Sequence, residues 1–129
     1  MPVRIVRLGS PRHADEGTRL GTVRRPPRGV PKAEFANRDY YDVWLPALSP
    51  SPDLVKEALA AQTEVQWNGF VRRFRAEMKA PEPAQMLDTL AALSHTGRFS
   101  LGCYCEDESH CHRSVLRALL AERGAQIVD

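Results

Sequence analysis

The sequence predicts an α/β fold: a small layered domain with a mostly parallel sheet of about four strands and about four helices. Three observations carry this. The last third of the chain reads strand, loop, helix, strand, and such a crossover makes its two strands parallel when both join one sheet. Two segments in the middle repeat apolar residues at helical spacing, and the N-terminal segment alternates as a short strand does. A chain of 129 residues fits one domain over residues 1–129 and leaves no room for two ordinary ones.

Each element has its own signal. Residues 3–8 (VRIVRL) place Val3 and Ile5 on one face of a strand and Val6 and Leu8 on the other. Turn residues fill 9–17, and residues 19–24 form a second, weaker strand through Leu20 and Val23. The RRPPRGVP stretch then breaks regular structure. Its three prolines stiffen an exposed loop that carries Arg24, Arg25 and Arg28. Residues 37–46 are open to two assignments, since Tyr40, Tyr41, Val43, Trp44 and Leu45 suit a strand as well as a short helix.

A helix begins at SPSPDL, with Ser51 as N-cap, Pro52 at the first helical position and Asp53 facing the positive end of the dipole. Trp67, Phe70, Val71, Phe74 and Met78 then recur on one face of a second helix, opposite Arg72, Arg73, Arg75 and Lys79. A third helix is expected from Pro83 to the His95-Thr96-Gly97 stop, where His95 acts as a cation near the C-terminus. Residues 98–105 (RFSLGCYC) read as a strand, 114–123 as a helix with Val115, Leu116, Leu119 and Leu120 inward, Gly124 as its stop and 126–128 as a last strand.

Hydrophobic residues make up 43% and charged residues 26% of the chain, which excludes a disordered tail or a fibrous protein. No apolar run approaches the roughly 18 to 20 residues of a membrane span, and the first residues lack the apolar stretch of an export signal. A soluble, cytoplasmic, bacterial protein with no membrane partner is therefore expected. The net charge of +2 is unevenly spread. Residues 1–38 hold nine Lys+Arg against three Asp+Glu, and residues 39–129 hold nine against thirteen. Fifteen of the eighteen cations are Arg, whose planar guanidinium suits phosphates and carboxylates. A small anionic ligand is consistent with this. Nucleic acid is not favoured, because +2 is far from the basic balance of a dedicated binder.

The chemistry concentrates in Cys103-Tyr104-Cys105-Glu106-Asp107-Glu108-Ser109-His110-Cys111-His112-Arg113. Three thiols, two imidazoles and a guanidinium gather where a strand ends and a helix begins, the place where open α/β sheets bind ligands. Clustered cysteines in odd number argue for free thiols and against a stapled secreted fold. On an extended strand Cys103 and Cys105 share a face, with Cys103 deeper as a small buried hydrophobe and Cys105 at the mouth. Cys111 falls at the start of the helix, where free N–H groups and the dipole favour a thiolate. Arg113 pushes the same way, and the acidic triplet of residues 106–108 pushes against it.

Four readings follow. The first is a thiol or anion site, with Cys105, Cys111 and His112 catalytic and with Arg28, Arg113 and Ser114 binding an anion. The second is a metal site for zinc or iron using Cys105, Cys111, His110 and His112, although the spacing lacks paired C-x2-C knuckles and no cofactor is the leading expectation. The third is a redox pair across the loop. In the fourth the cysteines fill a core edge and Arg113 pairs with the acidic loop. A separate alternative is a non-catalytic nucleic-acid or protein-binding module using the Arg-rich loop and the Arg72, Arg73 and Arg75 face.

LGCYCEDESHCHRSVLRALLAERG is similar to the C-terminal signature of the domain of unknown function 488, in which a strand-end Cys, a short acidic loop and Cys-His-Arg open the last helix. Here those positions are Cys105, Glu106, Cys111, His112 and Arg113. RGVPK at residues 28–32, Trp44 running into LSPSPDL, and WNGFVRRFRAEM at residues 67–78 resemble its YeaO-like branch. The chain departs from that branch in Arg25-Pro26-Pro27, where the branch tends to have Leu-Trp-Pro, and in carrying the Cys-His-Arg triplet of the broader family. The resemblance covers nearly the whole chain. It implies an α/β fold, a short helix near residues 37–46 and a shared site from the strand-end Cys to Cys-His-Arg, and it implies no particular activity.

Overall fold

The computed structural model describes residues 2–105 and 107–128; Glu106, the first member of the acidic triplet, lies outside the described residues. The sheet has five strands: β1 at Val3–Arg7, β2 at Thr18–Gly21, β3 at Val43–Trp44, β4 at Phe99–Cys103 and β5 at Ile127–Val128. The helices are α1 at Pro52–Ala60, α2 at Glu64–Glu77, α3 at Pro81–Leu93 and α4 at His112–Glu122. The class is the α/β fold the sequence predicts, with one strand more than the expected four. The addition is β3. It occupies the segment left open by the sequence and is followed at once by a single 3-10 turn at Pro46–Leu48, so the ambiguity reflects two short elements in succession.

The strands are all parallel in the order β3-β2-β4-β1-β5. β4 therefore enters the sheet between the first two strands of the chain.

Local chemistry sets the helix ends. The Ser51 hydroxyl accepts from the Leu54 amide at 3.4 Å, with Pro52 in the first turn. Thr63 and Gln66 form a reciprocal capping box on α2. α3 starts at Pro81, two residues before the expected Pro83, because a proline is tolerated anywhere in the first turn where its missing N–H has no intrahelical acceptor. Gly124 adopts φ 79° after α4. It lets the Ala125 amide reach the Leu120 carbonyl and the Gly124 amide reach the Ala121 carbonyl, both at 3.0 Å, which is the left-handed stop the sequence predicts.

The two faces of the sheet differ. Val3, Leu20, Phe99 and Leu101 pack into one apolar core with residues of every helix, including Leu54, Phe70, Leu87 and Leu116. On the opposite face Arg19 and Ser100 are fully buried, and the loops after β1 and β2 cover them. Glu16 accepts from Arg19 Nε at 2.6 Å, from Arg19 Nη2 at 2.9 Å and from the Ser100 hydroxyl at 2.6 Å. Arg19 Nη1 donates to the carbonyls of Ser10 at 2.9 Å and Asp39 at 2.7 Å. A buried charge is tolerable only when its hydrogen-bonding groups are met in this way. Among the described residues, no helix is long and apolar enough to cross a membrane.

Candidate functional site

The C-terminal ends of three neighbouring strands are tied at one level. Cys103 closes β4, and its carbonyl accepts from the Leu8 amide, just past β1, at 2.8 Å. On the other side the amide and hydroxyl of Thr22, just past β2, donate to the Gly102 carbonyl at 3.0 and 2.9 Å. Gly102 has no side chain for a steric reason: a Cβ there would lie 2.6 Å from the Leu8 side chain.

α4 opens two residues earlier than the sequence predicts. Cys111 is its N-cap in extended conformation, and the Ser114 amide and hydroxyl both donate to the Cys111 carbonyl, at 3.0 and 2.8 Å. That geometry places Cys111 and His112 over the end of β4. Cys103 and Cys111 are joined by a disulfide, and Cys105 is the free cysteine, so the expectation of free thiols throughout the cluster does not hold. With His112, Cys103 and Cys111 form a group whose ligand-capable atoms all lie within 4.8 Å of one another. Both cysteines are buried in a small apolar cluster with Leu8, Val23 and Tyr41.

The His112 ring is fixed from two sides. Its Nε2–H donates to the Thr22 carbonyl at 2.5 Å, and its Nδ1 lies 3.8 Å from the Cys111 sulfur. Phe74 presents an edge-on ring at 5.8 Å. Burial pushes the imidazole down to about 4; the bond to Thr22 opposes this, and the charge of Arg113 adds to it. The ring is therefore neutral near pH 7, with its proton on Nε2 and its lone pair on Nδ1 toward the sulfur.

Several expectations need correction. The structure brings Cys103, not Cys105, to Cys111. Alternation along the strand stops at Cys103, and the bend at Tyr104 turns Cys105 outward as an exposed free thiol. Among the bonds that hold that bend, the Tyr104 hydroxyl donates to the Arg25 carbonyl at 2.9 Å, Arg7 Nε donates to the Tyr104 carbonyl at 3.3 Å, and Arg113 Nη2 donates to the Cys105 carbonyl at 2.6 Å. Desolvation pushes the Cys105 thiol up despite the opposing charge of Arg113, the reverse of an activated nucleophile. His110 does not join the metal-ligand set. Its ring faces Asp107 at 3.3 Å and Glu64 at 3.5 Å, and these carboxylates raise its pKa.

The anion-binding expectation also separates into parts. Arg113 is buried against the loop, Ser114 is engaged with the Cys111 carbonyl, and Arg28 is exposed on the proline-rich loop. Glu108 of the acidic loop pairs bidentately with Arg117, at 2.5 and 2.9 Å. The basic features proposed for nucleic acid are partly consumed. Arg24 donates to the Ser49 and Pro50 carbonyls, Arg73 pairs with Glu57, and Arg75 pairs with Glu122 at 2.7 Å.

Tyr41 is the residue that sequence reading missed. Its ring lies in the cysteine cluster, and its hydroxyl is buried with no hydrogen-bond partner among the described residues. The aromatic run at residues 40–44 was visible, but nothing in it distinguished a site residue from a core residue.

Residues 3–124 match a family model, DUF488-N3a, described as the active DUF488-N3 subclade. No curated protein and no solved structure matches the chain.

Proposed function

The chain belongs to the DUF488 family, in the N3 subclade described as active, and we propose that it is a thiol-dependent enzyme with Cys111 as nucleophile and His112 as its proton acceptor. One observation carries the reading: the His112 ring sits between the Thr22 carbonyl, which holds its Nε2–H, and the Cys111 sulfur, which faces its Nδ1. Nucleophile, base and orienting group in that order are the working parts of covalent thiol catalysis. Once a thiol reductant opens the Cys103–Cys111 disulfide to two thiols, the Cys111 proton passes to Nδ1, and the freed electron pair attacks an electrophilic centre of the substrate.

The N-terminus of α4 favours negative charge on that sulfur. Arg113, the second residue of the same helix, adds positive charge and supports an anionic substrate or a developing anion. Cys105 has no part in the step, since its thiol is pushed up and turned outward.

The test is alkylation of the reduced protein with iodoacetamide, read peptide by peptide by mass spectrometry. Cys111 should react, and His112→Ala should slow it at least about tenfold, within the range of general-base effects. Cys105→Ser should leave Cys111 unaffected. Labelling confined to Cys105, with Cys111 inert, would overturn the assignment.

A further inference from the structure

We propose that Cys103, Cys111 and His112 together bind a thiophilic divalent cation, of the Zn2+ class. The inference rests on the same meeting of Cys111 and His112 as the thiol reading, and it recruits Cys103, which that reading leaves idle. Four observations converge on it. The two sulfurs and the imidazole come from the end of β4 and the start of α4 and lie within 4.8 Å of one another. The structure joins Cys103 and Cys111 as a disulfide, so reduction leaves two thiolates side by side. A cation between the two thiolates takes the place of the sulfur–sulfur bond, because each sulfur bonds the ion and not its neighbour.

His112 is oriented as a ligand requires. With Nε2–H held by the Thr22 carbonyl at 2.5 Å, the lone pair on Nδ1 faces the sulfurs. Metal-bound histidines are commonly fixed by such a bond from the other ring nitrogen to a carbonyl. The donor set is two thiolates and one imidazole, which selects zinc, cobalt or a similar borderline-soft ion over magnesium or calcium. The surrounding shell of Leu8, Val23 and Tyr41 excludes water that would compete for the ion. A thiol or phosphine reductant first converts the Cys103–Cys111 disulfide to two thiols; binding then changes no oxidation state, since two thiol protons leave to solvent as two sulfur–metal bonds and one nitrogen–metal bond form. An ion held there occupies the Cys111 electron pair, so metal and alkylating agent should exclude each other.

The experiment titrates the reduced full chain with Co2+ and then displaces it with Zn2+. A near-ultraviolet thiolate-to-cobalt band saturating at one ion per chain is expected. Cys103→Ser and His112→Ala should each weaken binding at least about tenfold, whereas Cys105→Ser and His110→Ala should leave it unchanged. In the wild-type protein, which needs no substitution in the core, Zn2+ should protect Cys103 and Cys111 from iodoacetamide and leave Cys105 labelled. Absence of the band, or a band lost with Cys105 or His110 and kept without Cys103, would overturn the inference. His112-dependent alkylation of Cys111 without any cobalt band would sink the metal and spare the thiol reading. A cobalt band with Cys111 inert in metal-free protein would do the reverse.

Discussion

Tyr41 carries a cost that its surroundings do not offset. A buried hydroxyl without a partner forfeits about 1 to 3 kcal/mol of solvation, and such a group commonly marks a place for a ligand or a bound water. Removing the oxygen while keeping the ring separates packing from polarity. Tyr41→Phe should therefore leave thermal stability unchanged or raise it by up to about 1 kcal/mol. A melting temperature well below that of the wild type would show that the hydroxyl has a structural partner after all. The cysteines teach a related lesson at the same scale. Strand alternation placed Cys103 and Cys105 on one face, and it held only as far as the strand did. Whether a strand runs one residue further depends on distant partners, here the Arg25 carbonyl and the Arg113 side chain, and no local pattern contains them.

Among the elements, β4 is the one that positions the site. All five of its residues are buried, and it is flanked by β1 and β2. Gly102 is the point at which it admits no side chain, since a Cβ would press on Leu8 and lie 3.0 Å from the Val6 carbonyl. Gly102→Ala should destabilise the protein by about 1 to 3 kcal/mol, as overpacked sites do. It should also slow Cys111 alkylation, because Leu8 shares a cluster with both sulfurs. Denaturant melts and the alkylation rate check the two effects separately. The helices were legible because their signals are local: Ser51 and Pro52 at the start of α1, the aromatic stripe of α2, and Gly124 after α4. The edge strand β3 was not. Two residues are too short to show a period, and the hydrogen bonds that define β3 come from Leu20 and Gly21, more than twenty positions away.

Taken whole, the molecule is asymmetric across its sheet, apolar beneath the helices and polar beneath the loops. The polar side centres on Glu16, whose burial would raise its pKa; hydrogen bonds from Arg19, Ser100 and the His13 amide more than offset this and hold it at about 2. A carboxyl with a depressed folded-state pKa stabilises the fold above its unfolded value of 4.5, and that contribution is lost as pH falls from there toward 2. The loss amounts to roughly 3 kcal/mol at about 1.4 kcal/mol per pKa unit. Glu16→Gln should lower stability at pH 7 by about 3 to 5 kcal/mol, since it leaves Arg19 buried without its counter-charge. The difference from wild type should shrink as pH approaches 2. Chemical denaturation across that range tests the sign, and a variant gap independent of pH would refute it.

The sequence alone determined the α/β class, the helix ends to within about two or three residues, and the gathering of the cysteines and His112 at the end of one strand and the start of the next helix. These follow from periodicity, capping residues and glycine stops, which act over a few positions. Only the tertiary structure decided that β4 lies between β1 and β2, that Cys103 and not Cys105 meets Cys111, and that the Thr22 carbonyl fixes His112. The pairing of β4 with β1 and the Thr22–His112 bond join segments ninety or more residues apart, and the Cys103–Cys111 pairing, though eight residues apart in sequence, follows from where β4 ends; contacts of this kind are set by how the layers close on one another.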